Sequence, residues 1–464
     1  MAVPAPASSA EATRALSAST VAFTVCFAVW TIFSIIGIGI KQQLGLDETE
    51  FGLLVGTPIL TGSLVRLGLG IWTDRYGGRA VFALVMLAAA VSTFLLSYAT
   101  TYPMMLVAAL GVGLAGGSFA VGIAYVSRWY PQERQGTALG IFGVGNVGAA
   151  VTKFLAPFVM VAFGWPVVAQ VWAAALVVMA AVFWFTTTDD PVLRARRAEH
   201  GKPMPLREQL APLADIRVWR FSLYYFFVFG GFVALALWLP RFYIGAYHVN
   251  VEVAGMLGAA YSIPGSLFRI YGGVLSDRVG ARRVMYWSLG LAVVTTFLLS
   301  YPPTDYLVHG THGDLAFSLG MGVVPFTLVT FTLGFAMAVG KAAVYRHIPM
   351  YYPGHVGPVG GVVGMIGGLG GFVLPIAFGM LNDLTGLWTS CFMLLFLIAG
   401  VSLLWMHSAI TTMERKAVVA PDRRYLAELQ PEGAVLADRN PEDASFWAAK
   451  GRRLANRNLW ISIP

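Results

Sequence analysis

Thr61-Gly62-Ser63-Leu64-Val65-Arg66-Leu67-Gly68-Leu69-Gly70-Ile71-Trp72-Thr73-Asp74-Arg75-Tyr76-Gly77-Gly78-Arg79 is echoed 203 positions later by Pro264-Gly265-Ser266-Leu267-Phe268-Arg269-Ile270-Tyr271-Gly272-Gly273-Val274-Leu275-Ser276-Asp277-Arg278-Val279-Gly280-Ala281-Arg282. Gly62 pairs with Gly265, Ser63 with Ser266, Arg66 with Arg269, Gly70 with Gly273, Asp74 with Asp277 and Gly77 with Gly280. Each copy sets one arginine in an apolar run. Burying an arginine near the bilayer centre costs roughly 2.5–3.5 kcal/mol on insertion scales, so two at one register need a reason. A duplicated positive site between related halves suggests an anion as cargo.

Working outward, the 464 residues are 57% hydrophobic and only 12% charged, too apolar for a soluble chain of that size. Apolar windows of about 20 residues, enough to cross a bilayer core, fall near 20–40, 51–72, 80–99, 104–126, 136–162 and 167–187. A second set falls near 219–243, 253–275, 284–301, 317–343, 356–380 and 387–408. A lipid-exposed backbone must satisfy its own hydrogen bonds, and the period-2 alternation of a membrane barrel is missing, so every span should be helical. The expected fold is an all-α membrane protein with twelve transmembrane helices in two pseudo-symmetric six-helix bundles. Its domains read as an N-terminal segment (1–19), a first bundle (20–187), a basic, proline-bearing linker (188–218), a second bundle (219–408) and a charge-mixed tail (409–464) with no assigned function.

Basic residues favour one side. Arg75, Arg79, Arg128, Arg134, Arg278, Arg282, Arg283, Lys341 and Arg346 read as loop residues there, with the linker and tail, while the other side offers little beyond Lys41 and Arg241. The positive-inside rule then makes the basic side cytoplasmic, with both termini inside and the protein multi-pass in the cell's inner (plasma) membrane. The segment 1–19 lacks the basic start and short apolar core of a cleaved signal. The net charge of +8 is scattered over short loops, not drawn into a stripe with interleaved aromatics, so nucleic acid is not an expected partner. Two cysteines, Cys26 and Cys391, and seven histidines without ligand-like spacing give no disulfide framework and no metal site. No nucleophile, carboxylate pair or cofactor motif stands out, so neither an enzyme nor a cofactor is expected.

A guanidinium is a planar fork of donors, so two facing each other suit a small anion with several oxygens better than a sugar or a cation. Nitrate, nitrite, phosphate and carboxylates all fit that description. From Arg66 to Asp74 is about 12 Å of helical rise, too far for direct pairing, so the missing counter-charge is the substrate. The bland alternative is that each arginine snorkels to the interface or bonds backbone carbonyls.

The turns Asp74-Arg75-Tyr76-Gly77 and Asp277-Arg278-Val279-Gly280 join successive spans, and Gly70 to Arg79 and Gly273 to Arg282 resemble the loop signature of the major facilitator superfamily. In that superfamily such residues, here Gly70, Asp74, Arg75, Gly77, Arg79, Gly273, Asp277, Arg278, Gly280 and Arg282, lock or release the cytoplasmic gate; a plain topology anchor reads equally well. Spans five and eleven are glycine-rich, with Gly140, Gly143, Gly145 and Gly148 in one and Gly360, Gly364, Gly367, Gly368 and Gly371 in the other. Small residues at such spacing allow close helix packing and rocking.

These glycine runs, with the two arginines, resemble the nitrate/nitrite porter (NarK-type) branch of the superfamily over roughly 20–405. The stretch from Gly37 to Arg66 looks closer to its nitrate-proton symporters. The resemblance implies a substrate site in which Arg66 and Arg269 clamp the anion, Asn146 donates to it, Tyr225 joins them, and Phe119 and Phe229 sandwich it. Taken alone, these aromatics read as membrane packing. Lys153 departs from the antiporter pattern: it lies seven residues after Asn146, on the same helical face. Desolvation and neighbouring positive charge both disfavour its protonated form, and an arriving anion would reverse the second effect. Lys153 is therefore the candidate for proton coupling; snorkelling to the outer interface is the alternative.

The leading expectation is nitrate uptake by alternating access with proton symport, with nitrate, nitrite and protons as small partners, the bilayer as environment and a monomer as the working unit. Nitrate/nitrite antiport is the runner-up, and carriage of another small anion comes third. An anion channel, or a sensor signalling through the 409–464 tail, is the reading from another class.

Overall fold

The computed structural model describes residues 9–130, 132–191, 193–194, 214–311, 313–352 and 356–419. The expected linker core and most of the expected tail lie outside the described residues.

The repeated stretch forms two helices of equal length. α3 (Glu48–Tyr76) and α12 (Val251–Val279) each run 29 residues, with bounds offset by the same 203 positions as their sequences. Both begin with a side-chain cap: Asp47 accepts from the Glu50 amide, completed by Glu50 as a capping box, and Asn250 accepts from the Val253 amide. Both end on a glycine with positive φ, 95° at Gly77 and 90° at Gly280, a conformation other residues adopt at a cost. The same local chemistry therefore starts and stops both arginine helices at one register.

Around them the described residues form twelve helical spans. Span one is α1 (Ser9–Trp30) with α2 (Phe33–Leu44), span two α3 and span three α4 (Gly78–Leu96). Span four is α5 (Tyr102–Val112) and α6 (Ser118–Ser127) joined by a 3₁₀ turn, span five α7 (Gln132–Gly143) and α8 (Gly148–Phe163) joined by another, and span six α9 (Trp165–Thr186). Span seven is α10 (Ile216–Tyr225) and α11 (Phe232–Tyr247) joined by a π-helical turn, span eight α12, and span nine α13 (Ala281–Ser300). Spans ten to twelve are α14 (Val323–Tyr351), α15 (Val356–Thr385) and α16 (Ser390–Val419). Ten helical segments among the described residues are long and apolar enough to cross a membrane; α3 and α12, the arginine helices, are not among those ten. Outward-facing Val107, Phe185, Val324 and Leu404 are widely exposed, as lipid-facing side chains must be, while Trp30, Trp238, Phe51 and Phe142 fill the interior.

Two sequence expectations need correction. Between spans nine and ten the chain forms an exposed antiparallel hairpin, β1 (Thr304–Gly310) with β2 (Gly313–Leu319), turned at Gly313. Its apolar residues Leu315, Phe317 and Leu319 read as the start of a span, which displaced the expected window to 317–343, whereas α14 runs from Val323. Lys341 is consequently no loop residue: it is fully buried within α14.

The two bundles meet closely at the Glu48 end. Arg241 of α11 pairs with Glu48 of the first bundle, and Lys41 approaches the same carboxylate at 3.4 Å. Asp383 of α15 accepts from the Thr49 amide at 2.8 Å and from the Thr49 hydroxyl, so a carboxylate of one bundle caps a helix N-terminus of the other. At Gly52, Gly56, Gly255 and Gly379 an added Cβ would collide with backbone of the opposite bundle. Toward the basic end the picture reverses, for a Cβ on Gly68, Gly70, Gly140, Gly273 or Gly361 would meet open space.

Candidate functional site

Midway between these ends, Arg66 and Arg269 are buried, 3% and 5% exposed, and near enough to repel each other. Neither forms an ion pair with a carboxylate among the described residues. Arg66 donates from Nε to Gly62 O at 3.1 Å and from Nη1 to Gly364 O of α15 at 2.8 Å. The carbonyl-bonded reading of this arginine is thus correct for part of its fork, yet Nη2 is buried without a partner, as is Nη1 of Arg269. An unpaired donor in a dry interior costs roughly 1–3 kcal/mol, more when charged.

The orphaned groups continue around them. Asn146 is fully buried, and both its amide oxygen and nitrogen lack partners. So do the Tyr225 hydroxyl, which lies within electrostatic reach of both guanidiniums, and Ser63 Oγ. These orphaned donor atoms, without an acceptor among the described residues, can serve an anion with several oxygens.

Aromatic rings shape the space. The Phe119 ring centre is 5.3 Å from Arg66 Cζ and 5.7 Å from Arg269 Cζ, so one ring touches both charges. Phe229 lies 5.6 Å from Arg66 Cζ, nearly parallel to Phe119 at 6.4 Å and stacked on Tyr225 at 5.0 Å. That ring separation is close to the roughly 7 Å at which one flat group touches two faces. Each span that supplies Phe119, Asn146 or the Tyr225/Phe229 pair interrupts its α-helix beside the residue: 3₁₀ at Gly113–Gly117 and Val144–Val147, π at Phe226–Gly231. Such turns re-aim side chains and recur at functional sites.

The glycine runs supply close approach. A Cβ at Gly143 would stand 3.0 Å from Arg269 Cδ and Nε, and one at Gly368 would be 3.3 Å from Arg66 Nη1 and closer still to Ser63. Gly364 faces the Tyr345 hydroxyl, Gly367 the Tyr225 ring and Gly371 Val233 and Ile59, while Gly145 packs on Phe23 and Gly148 on the backbone of α1. Gly360 makes ordinary contact with Tyr345, and Gly140 meets nothing within 4 Å, so close packing does not extend to it.

Lys153 does not snorkel. It is fully buried, and its Nζ donates to Ala149 O and to Ser262 Oγ of α12, each at 2.9 Å. It therefore lies in the seam between bundles, two turns along each helix from Asn146 and from Arg269, toward the Glu48 end.

The two Asp-Arg-x-Gly turns lie apart from this cage, at the basic end. Arg79 donates to Trp184 O and lies over the Trp184 ring at 4.2 Å, Gly77 packs on Leu193, and Arg75 lies over Tyr76. Asp277 pairs with Arg346 at 2.6 Å; Arg278 is exposed, Arg282 half-buried and the Asp74 side chain outside the described residues. These contacts stay within one bundle.

Several residues of the site escaped the sequence reading. Tyr345 covers Arg269 at 5.8 Å, meets Tyr225 edge-on at 4.8 Å and donates to Gly360 O. Trp30 stands 5.5 Å from Arg66 Cζ. Ser63 was visible only as a member of the repeat, and nothing in the spacing marked Tyr345 or Trp30.

Comparison with known proteins agrees with this architecture. A profile described as the Major Facilitator Superfamily matches residues 18–333 and 243–460. The probable nitrate/nitrite antiporter NarK1 of Thermus thermophilus is 43% identical over 410 residues, covering 86% of this chain and 91% of the relative. The nitrite extrusion protein of Bacillus subtilis (strain 168) is 28% identical over 396 residues, 84% of this chain and 94% of the relative. Among solved structures, a bacterial homolog of the human lysosomal transporter Spinster, inward-facing and occupied, covers 88% of this chain and 98% of its own at 16% identity and a TM-score of 0.66, a likeness of fold alone. With one profile spanning most of the chain and a relative this similar along most of its length, the chain belongs to the nitrate/nitrite transporter (NarK-type) family of the major facilitator superfamily.

Proposed function

We propose that this protein carries nitrate into the cell by alternating access, with protons moving in the same direction. The observation that carries the reading is the set of buried, unpartnered donors on Arg66, Arg269, Asn146 and Tyr225 around the Phe119 and Phe229 rings, with no carboxylate among the described residues paired to either arginine. Nitrate is flat, bears three acceptor oxygens and supplies the charge that the cage lacks.

The basic end is cytoplasmic by the positive-inside rule, with both termini on the cytoplasmic side of the plasma membrane. The two bundles, bounded near 20–187 and 219–408, rock around the cage, as expected of repeats with a midplane site. The Asp-Arg-x-Gly turns gate the cytoplasmic end when the molecule faces outward. Lys153 couples the proton: it is buried without a carboxylate partner among the described residues, and a nearby anion favours its charged form. The working unit is a monomer.

Nitrate/nitrite antiport is the second reading, supported by the name of the 43% identical relative. Proteoliposomes separate the two. Labelled nitrate accumulating under an imposed pH gradient alone supports symport, while uptake only into nitrite-loaded vesicles, indifferent to that gradient, supports exchange.

A further inference from the structure

Two carbonyls stand at equivalent places in the two halves and are used differently. In an α-helix each carbonyl accepts from the amide four residues on, so Gly62 O serves the amide of Arg66 and Gly265 O that of Arg269. Each oxygen keeps one lone pair for a second donor. In the first half that donor is Nε of Arg66 itself, at 3.1 Å. In the second half it is Nζ of Lys341, reaching from α14 at 2.5 Å.

Lys341 is fully buried, and its ammonium lies 3.4 Å from the centre of the Phe232 ring, which itself packs on Gly265. It has no carboxylate partner among the described residues. A buried ammonium held by one carbonyl and one ring is costly, so it needs a use. The consequence lies in the arginines. Arg66 is pinned to its own helix and, through Nη1, to Gly364 of the opposite bundle, whereas no carbonyl among the described residues holds Arg269.

We propose that Lys341 is a positioning residue of the anion site. By filling the second lone pair of Gly265 O, and by repelling a like charge from it, Lys341 keeps Arg269 from folding back on its own helix as Arg66 does. The fork of Arg269 is thereby left free to close on the anion. The arginines then have unequal duties: Arg66 is the fixed anchor and Arg269 the arm that moves. This rests on the reading of the cage as an anion site.

The test is Lys341→Met, which keeps an unbranched side chain only one heavy atom shorter and removes the donor. A cryo-EM structure of that protein should show Arg269 Nε on Gly265 O. Its KM for nitrate in counterflow should rise ~10- to 100-fold, the range of one hydrogen bond to a charged group, with the maximal rate within about twofold. Lys341→Arg, which keeps a donor, should restore the wild-type KM to within about threefold. An unchanged Arg269 rotamer in Lys341→Met, or a fall in maximal rate at unchanged KM, overturns the proposal. Should Lys341→Met fail to fold, the wild-type map decides: Lys341 on Gly265 O supports it, and Arg269 Nε in that place overturns it. Neither map needs the anion, so a wild-type protein that fails to bind nitrate would count against the cage and not against this device.

Discussion

Lys153 Nζ donates to Ser262 Oγ at 2.9 Å, joining spans five and eight across the seam between the two bundles. On the proposed alternating-access cycle, the bond belongs to the arrangement closed at the Glu48 end and breaks when that end opens. A charge bonded there can report anion arrival to the gate, because α12 carries Ser262 and, two turns on, Arg269.

Lys153→Gln should therefore abolish nitrate accumulation driven by a pH gradient, acid outside, while counterflow of nitrate stays within about threefold of wild type. Accumulation that survives the substitution removes Lys153 from the coupling step. Ser262→Ala provides the companion measurement: it keeps the amine and removes only its cross-seam acceptor, so accumulation should persist with an altered rate.

Arg66→Lys and Arg269→Lys replace a fork by a point charge. Each should raise the nitrate dissociation constant by ~30-fold or more, the scale of a lost charge-assisted hydrogen bond, with the protein still folded. Binding to purified protein, followed by calorimetry, checks this. Arg66→Lys should also loosen the seam, because Nη1 of Arg66 bonds Gly364 of the other bundle at 2.8 Å.

Gly143→Ala tests the close approach at Arg269. A methyl group 3.0 Å from Cδ and Nε forces that side chain aside, so nitrate KM should rise about tenfold with expression and melting temperature nearly unchanged. Gly140→Ala, where the added carbon meets nothing within 4 Å, should leave transport as it is.

The Glu48 end holds a separable latch. The Glu48 carboxylate is 10% exposed and bonded by Arg241, so Arg241→Gln leaves it with Lys41 alone. The loss should favour the outward-open arrangement by about 1 kcal/mol, or roughly fivefold in population. Spin-label distances across that end provide the measurement; an unshifted distribution would mean that packing at Gly52 and Gly379, not the ion pair, holds the gate.

What the sequence disclosed follows from what is periodic in it. The 203-residue repeat set the two arginine helices at one register, and capping by Asp47 and Asn250 with stops at Gly77 and Gly280 repeats with it. Asn146, Tyr225, Phe119 and Phe229 were reachable only through the family resemblance, because a single aromatic in a span carries no mark of the cavity it faces. Lys341 was misread for a physical reason: the apolar hairpin strand at 313–319 resembles the head of a span, so the expected window closed at 343, just past the lysine, whereas α14 continues to Tyr351. Tyr345 and Trp30 come to the arginines by tertiary packing, for which no spacing rule exists.

A high-resolution cryo-EM map of the wild-type protein with saturating nitrate tests the central claim most directly. The account predicts the anion beside Phe119, within hydrogen-bond distance of Arg66 Nη2 and Arg269 Nη1, the buried guanidinium nitrogens of the cage that lack a partner among the described residues. Nitrate bound elsewhere, or a carboxylate of the protein seated on either guanidinium, would contradict it.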